Sequence, residues 1–165
     1  MTEQTDIAVV MGSISDWEQM QHCCQFLDTL NLTYDTKVIS AHRMPTEMIS
    51  FAENAKSNGY KVIIAGAGGA AHLPGMIASS TTLPVIGIPI KSSALSGMDS
   101  LLSIVQMPAG VPVATMAIGP AGAKNAGLMA ARILAVTDKI VENSLKEFQV
   151  NQRQAALEST GELND

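Results

Sequence analysis

Five short runs rich in β-branched and apolar residues stand out along the chain: IAVV from Ile7, TYDTKVI from Thr33, KVIIA from Lys61, PVIGIPI from Pro84 and VPVATMAI from Val111. They begin roughly 23 to 28 residues apart, which is the length of one strand, one loop and one helix. Most are near-continuously apolar, as parallel strands covered by helices on both faces are. TYDTKVI is the exception, and its polar positions place it near a sheet edge. Helix-compatible runs fill the gaps at 16–30, at 45–58 with Pro45 in a first-turn position, at 73–80 and at 98–107. Asn58-Gly59 supplies a helix C-terminus before the third strand. After the fifth strand, GPAGAKNAGLMAARILAV is rich in Gly and Ala, a composition that lets helix backbones approach closely. A polar helix over about 138–157 follows it. That helix lacks a broad apolar face of its own, so it is expected to cap the domain or to pack on a neighbouring subunit, with the tail 158–165 fraying. The cadence is that of an α/β protein with a parallel sheet and an extra C-terminal helix.

Length and composition narrow the reading. With 165 residues, 47% of them hydrophobic, the chain suits one domain over 1–165 with its core at about 7–137. It has no linker, low-complexity tract or repeat. A formal charge of −5 leaves no electrostatic footprint for nucleic acid or an anionic membrane. Only 15% of residues are charged, against about 25% in an average soluble domain, which points to surface buried in an oligomer. MTEQTDIAVV lacks a basic n-region, its apolar run is too short for a signal peptide core, and no stretch approaches a membrane span, so a cytoplasmic protein is expected. Cys23 and Cys24 are adjacent in a helix-like run, where a disulfide would strain the backbone, and read as reduced packing residues.

In an open parallel sheet, ligands bind beyond the carboxyl ends of the strands. The unusual residues stand there: MGSISDW after the first strand, SAHRMP after the second, GAGGAAHLPG after the third and KSSALSG after the fourth. Gly12 allows a tight turn, Ser13 and Ser15 carry hydroxyls, and the N–H groups of the next helix attract a phosphate. Ser15 or Asp16 capping that helix is the plainer reading, compatible with the first. Asp16 does not favour a phosphate but can accept hydrogen bonds from sugar hydroxyls. GAGGAA, Gly66 to Ala71, matches a G-x-G-x-x-A dinucleotide pattern, yet it follows the third strand and lacks the acidic residue of an NAD site. What remains is a loop of Gly66, Ala67, Gly68 and Gly69 that a planar ring or a phosphate can approach, with His72 at the next helix entry.

His42 lies between Ser40 and Arg43, and the Arg43 guanidinium suits a phosphate or carboxylate. On these residues alone, His42 as a catalyst and His42 as an ordinary loop side chain stand even. The chain has no G-x-S-x-G elbow, and its two Cys and three His show no metal-ligand spacing. His22 reads as structural or solvated, and the 10 Met residues as core or interface filling.

The set VVMGSISDW, VISAHRMP, IIAGAGGAAHLPGMIA, SALSGMDSLLSIVQMPAGVPVATMAIG and the Ala-rich helix after it, in order from about Ile7 to Leu134, strongly resembles the bacterial PurE family of N5-carboxyaminoimidazole ribonucleotide mutases. The resemblance implies a flavodoxin-like three-layer α/β/α sandwich assembled as a homo-octamer, with active sites near subunit interfaces. It implies transfer of the carboxylate of N5-carboxyaminoimidazole ribonucleotide to ring carbon C4 in purine synthesis, without ATP, metal or organic cofactor. Carried over by motif, Ser13, Ser15 and Asp16 hold the ribose phosphate end, with Asp16 on the sugar hydroxyls and Arg43 toward the phosphate. Ser40, Ala41 and the backbone of Gly66 to Gly69 surround the imidazole and carboxylate. His42 is the implied general acid/base, a task suited to imidazole, and His72 lines the same pocket to steady the carboxylate or trapped carbon dioxide. Two positions depart from the family: Met44 stands where Thr is usual and Lys91 where many members have Gln. Direct carboxylation of aminoimidazole ribonucleotide is the nearest alternative. A flavin- or nucleotide-binding module is another, weakened by an aromatic content of only 4%.

Overall fold

The computed structural model describes residues 5–164. Five parallel strands form one sheet in the order β2-β1-β3-β4-β5: β1 Ile7–Met11, β2 Tyr34–Val38, β3 Val62–Ala67, β4 Val85–Pro89 and β5 Ala114–Thr115. This is the flavodoxin-like doubly wound order. β1 pairs on both sides, Ile7 with Tyr34 and with Val62. The strand order reverses direction at β1, and the crevice opened there lies beside β3.

Alternation along β1 and β3 divides the interior in two. Ile7, Val9, Met11, Val62 and Ile64 meet α1 (Trp17–Thr29), α5 (Pro120–Ala135) and the start of α6 (Lys139–Glu158). Ala8, Val10, Ile63 and Ala65 meet α2 (Pro45–Asn54), α3 (Leu73–Ser80) and α4 (Met98–Val105). With both faces covered, β1 and β3 are buried at every position, whereas the edge strand β2 is exposed at four of its five, as its alternating sequence implies.

The small residues of α5 serve close packing. A Cβ on Gly127 would stand 3.2 Å from the Cys23 carbonyl oxygen of α1, and a Cβ on Gly122 would overlap the carbonyl oxygen of Ala117. The cysteines are buried and unpaired, and burial raises both thiols, that of Cys24 to about 11, so neither is reactive.

Several boundaries differ from the sequence expectation. The fifth strand, expected over VPVATMAI, shrinks to two residues: Gly110 turns at φ +97°, Pro112 has no N–H to donate, and only β4 lies alongside. The second helix ends at Asn54, and the turn through Asn58 and Gly59 (φ +99°) takes up the rest. Asp138 caps α6, its carboxylate accepting the N–H groups of Ile140 and Val141 at 2.8 and 3.2 Å. Only Val141 and Leu145 of α6 are buried, Phe148 packs edge-on to Phe26, and the helix beyond is exposed. A 3-10 turn over Gly161–Asn164 stands where the sequence suggests fraying; Asp165, like residues 1–4, lies outside the described residues. Among the described residues, no helix is long and apolar enough to cross a membrane.

Candidate active site

The loops leaving the carboxyl ends of β1, β2, β3 and β4 line a half-open cavity of about 550 Å³. Its wall carries Ser13, Ser15, Asp16, Ser40, Ala41, His42, Arg43, Ala67, Gly68, Gly69 and His72 from the sequence expectation. Gly66 is not on that wall. It is the fifth residue of β3, its carbonyl accepts the Gly12 N–H at 3.1 Å, and a Cβ there would run into the buried Met20 side chain. Its lack of a side chain therefore serves the packing of α1 on the sheet.

After β1 the chain turns through Ser13 into a short 3-10 helix, Ile14–Asp16. The Ser13 hydroxyl oxygen accepts from the Ser15 N–H at 3.3 Å and the Ser15 hydroxyl at 2.9 Å. The Asp16 carboxylate turns back and accepts the Ser13 N–H at 3.1 Å rather than capping α1. It is 8% exposed, and burial raises its pKa against the opposing hydrogen bonds of the Ser13 and Gly12 backbone. A carboxylate held in this way still has acceptor capacity for ligand hydroxyls.

The loop after β2 is braced by Ser40. Its buried hydroxyl oxygen accepts the Arg43 backbone N–H at 3.3 Å and the Arg43 Nε–H at 3.1 Å, so one serine sets both the turn and the direction of the guanidinium. Met44 faces a different cleft, with Lys37, Val38 and Glu47. Pro45 opens α2.

His42 and His72 meet across the pocket. Nε2 of His42 lies 2.7 Å from Nδ1 of His72, with the rings at 88°. One nitrogen donates and the other accepts, so the tautomer of either ring fixes that of the other. Two imidazolium rings would point N–H groups at each other, so the contact holds a single proton.

Sequence reasoning passed over Ser92 and Ser93 as individual residues although the KSSALSG loop was on the expected rim; both line the pocket, as do Gly12, Ala70, Leu73, Ile90 and Lys91. It also missed Ser100, which is fully buried behind the wall. Ser100 Oγ accepts the Gly69 N–H at 3.0 Å and donates to the Ile90 carbonyl at 2.7 Å, while the Ser103 hydroxyl, which donates to the Asp99 carbonyl of its own helix at 2.7 Å, lies 3.2 Å from the Gly69 carbonyl. Ser100 thus anchors Gly69 at φ +68°, a left-handed conformation that glycine adopts without steric cost. A serine in the middle of an apolar-patterned helix gives no such signal in the sequence. Among the described residues, no group of three or more His, Cys, Asp or Glu is arranged to hold a metal ion.

A pocket with a buried carboxylate, an oriented guanidinium, paired imidazoles and an open glycine loop has the groups to bind a polar, anionic ligand and to move a proton. N5-carboxyaminoimidazole ribonucleotide mutase of Haemophilus influenzae is 61% identical over 159 residues, 96% of this chain and 97% of that protein. The enzyme of the same name from Bacillus subtilis is 60% identical over 157 residues, 95% and 97% of the two chains. That of Escherichia coli K12 is 56% identical over 153 residues, 93% and 90%. The crystal structure of Treponema denticola PurE superposes with a TM-score of 0.86 at 27% identity, covering 96% of this chain and 98% of that one. The model of the family described as AIR carboxylase matches residues 6–155, and the chain belongs to that family.

Proposed function

We propose that this chain is an N5-carboxyaminoimidazole ribonucleotide mutase, an isomerase of purine biosynthesis that moves the carboxylate from the exocyclic nitrogen to ring carbon C4. The observation that carries the reading is one cavity bringing the His42 imidazole together with Asp16, Arg43 and the Gly68-Gly69 loop, in a chain 56–61% identical to mutases over nearly its whole length.

The residues divide the work. Asp16 accepts the ribose hydroxyls, and Ser13, Ser15 and Arg43 hold the phosphate. Ser40 and Ala41, with Ala67, Gly68 and Gly69, border the imidazole and its carboxylate. The N–CO₂ bond breaks as protonated His42 gives its proton to the exocyclic nitrogen, leaving aminoimidazole ribonucleotide and carbon dioxide. C4 then attacks the carbon dioxide, and the now neutral His42 takes the C4 proton, so the histidine ends in its starting state. His72, 2.7 Å away, orients the His42 ring and borders the space where carbon dioxide waits. The four loops leave the pocket open on one side, so retention of carbon dioxide relies on the bound ribonucleotide covering the mouth. Protons and carboxylate balance within the substrate and His42 alone.

The assembly that fits is a homo-octamer in the cytoplasm. Self-association is supported by apolar surface that one chain leaves open: Leu95, Met98, Leu102 and Val105 at and along α4, and Ile140, Val150 and Leu157 along α6, each 47% exposed or more. A flavin-binding reading has no support at the site, since the pocket wall carries no Phe, Tyr or Trp.

The test supplies purified protein with N5-carboxyaminoimidazole ribonucleotide alone, or with aminoimidazole ribonucleotide plus bicarbonate, both without ATP. Conversion of the first substrate to 4-carboxy-5-aminoimidazole ribonucleotide is expected. Turnover only of the second would sink the mutase reading in favour of direct carboxylation.

A further inference from the structure

We infer that Lys91 is a further substrate-binding residue, placing an ammonium against an anionic group of the bound ribonucleotide, and that Gln19 of α1 is its positioning residue. The inference rests on the ribonucleotide reading of the pocket. Lys91 follows β4 directly and lies on the pocket wall with Ser92 and Ser93. Its main chain is fixed at both polar groups by one side chain from the opposite element. The Lys91 N–H donates to Gln19 Oε1 at 2.8 Å, and Gln19 Nε2 donates to the Lys91 carbonyl at 3.3 Å. Glycines close the remaining space. A Cβ on Gly97 would stand 3.2 Å from the Lys91 Cα, and one on Gly119 would stand 3.9 Å from the Lys91 Cβ. The direction in which this side chain leaves the backbone is therefore set by three separate elements.

Its charge has no protein partner. Among the described residues, no carboxylate lies within 4.0 Å of the Lys91 ammonium. Asp99, which opens α4 nearby, is engaged by the Ser92 hydroxyl at 2.5 Å, and Asp16, the one acid on the wall, turns toward the Ser13 N–H. Of the fixed charges on the wall, Arg43 balances Asp16 and Lys91 is the surplus. A ribonucleotide carrying a phosphate and a carboxylate brings anionic charge that one guanidinium does not match. A lysine ammonium is a compact point charge with three donors, suited to either anion.

The experiment compares wild type with Lys91→Gln, Lys91→Arg and Gln19→Ala, each checked for an unchanged melting temperature, at low and moderate salt. Wild-type turnover is the control that separates the two ideas: no turnover there sinks the proposed function, whereas normal turnover makes the variants informative about Lys91. For Lys91→Gln, KM is expected to rise about tenfold, the loss of one charge-assisted contact, with kcat within twofold and a weaker dependence of KM on salt. Lys91→Arg restores most of the affinity. Gln19→Ala raises KM severalfold in the wild-type background and adds nothing to Lys91→Gln; equal effects in both backgrounds would overturn the positioning link. Binding of aminoimidazole ribonucleotide, which has only the phosphate, and of 4-carboxy-5-aminoimidazole ribonucleotide, which has both anions, locates the contact. Weakening of both assigns Lys91 to the phosphate, and weakening of the carboxylated compound alone assigns it to the carboxylate. Unchanged binding of both, with the salt dependence of KM intact, overturns the inference.

Discussion

Replacing His42 with Asn separates proton transfer from everything else the residue does. The side chain is exposed, and its one hydrogen bond in the structure is the 2.7 Å contact with His72. Losing that contact costs at most about 0.5–1.5 kcal/mol, and the low end applies at an exposed site. In a protein of this size the low end lowers Tm by about 1–2 °C. Binding should hold within about threefold, because the groups assigned to the ribose and phosphate, Asp16, Ser13 and Arg43, sit on other parts of the wall. Turnover should not. An amide cannot exchange a proton near neutral pH, and removing a positioned general acid/base costs roughly 10²–10⁴ in rate, or about 3–5 kcal/mol of barrier. The assay follows the carboxylate of N5-carboxyaminoimidazole ribonucleotide to carbon by ¹³C NMR, with product affinity measured in parallel. The second imidazole provides the decisive arm. If His42→Asn loses less than tenfold while His42→Asn combined with His72→Asn loses everything, His72 is the proton carrier and the role assigned to His42 is wrong. Near-normal turnover in both variants would refute histidine acid/base chemistry here altogether.

Two further expectations follow from burial. Asp16 has its pKa raised by desolvation, so its ionised form is the unfavourable one in the folded state: its contribution to stability is present at low pH and is lost as pH rises through the folded value. Asp16→Asn keeps an oxygen for the Ser13 N–H and removes the buried charge, so it should melt above wild type near neutral pH, with the gap closing in acid, while ribonucleotide affinity falls about tenfold or more from weakened ribose contacts; a lower Tm at neutral pH, or intact affinity, would contradict the assignment. Gly122→Ala sets a Cβ against the Ala117 backbone carbonyl, which cannot move aside as a side chain could. It should cost about 3 kcal/mol or more, a Tm drop of at least about 6 °C, whereas Gly127→Ala, at 3.2 Å from the Cys23 carbonyl, costs about 1 kcal/mol; equal Tm values for the two variants would show that α5 shifts freely.

The sheet was legible because its signals are local. Parallel strands buried on both faces must be apolar at nearly every position, and β1, β3 and β4 are, while the polar alternation of β2 marked an edge before any neighbour was known. The short β5 was not legible, since VPVATMAI has the composition of a full strand. Its length is limited by the Gly110 turn, by Pro112 and by having one neighbour, and pairing is not written in composition. The rim was legible for a topological reason: in a parallel sheet every strand delivers its following loop to the same edge. Four odd loops in sequence therefore meant one site in space.

What the sequence could not show is why each glycine of the third loop is a glycine. All of Gly66, Gly68 and Gly69 fit the idea of a bare backbone open to a ligand, yet the structure gives them different reasons. Gly66 is crowded by Met20 inside β3, and a Cβ on Gly68 would stand 3.4 Å from the Ile90 Cβ. Only Gly69 faces open space, with nothing within 4 Å of a Cβ, so its φ of +68° is imposed by bonding rather than by crowding. That bonding comes from Ser100, 31 residues away on α4. Ser100 also holds the Ile90 carbonyl, at the base of the loop that carries Lys91. One buried hydroxyl thus ties the third loop to the fourth. The shape of the pocket depends as much on α4 as on the residues that line it.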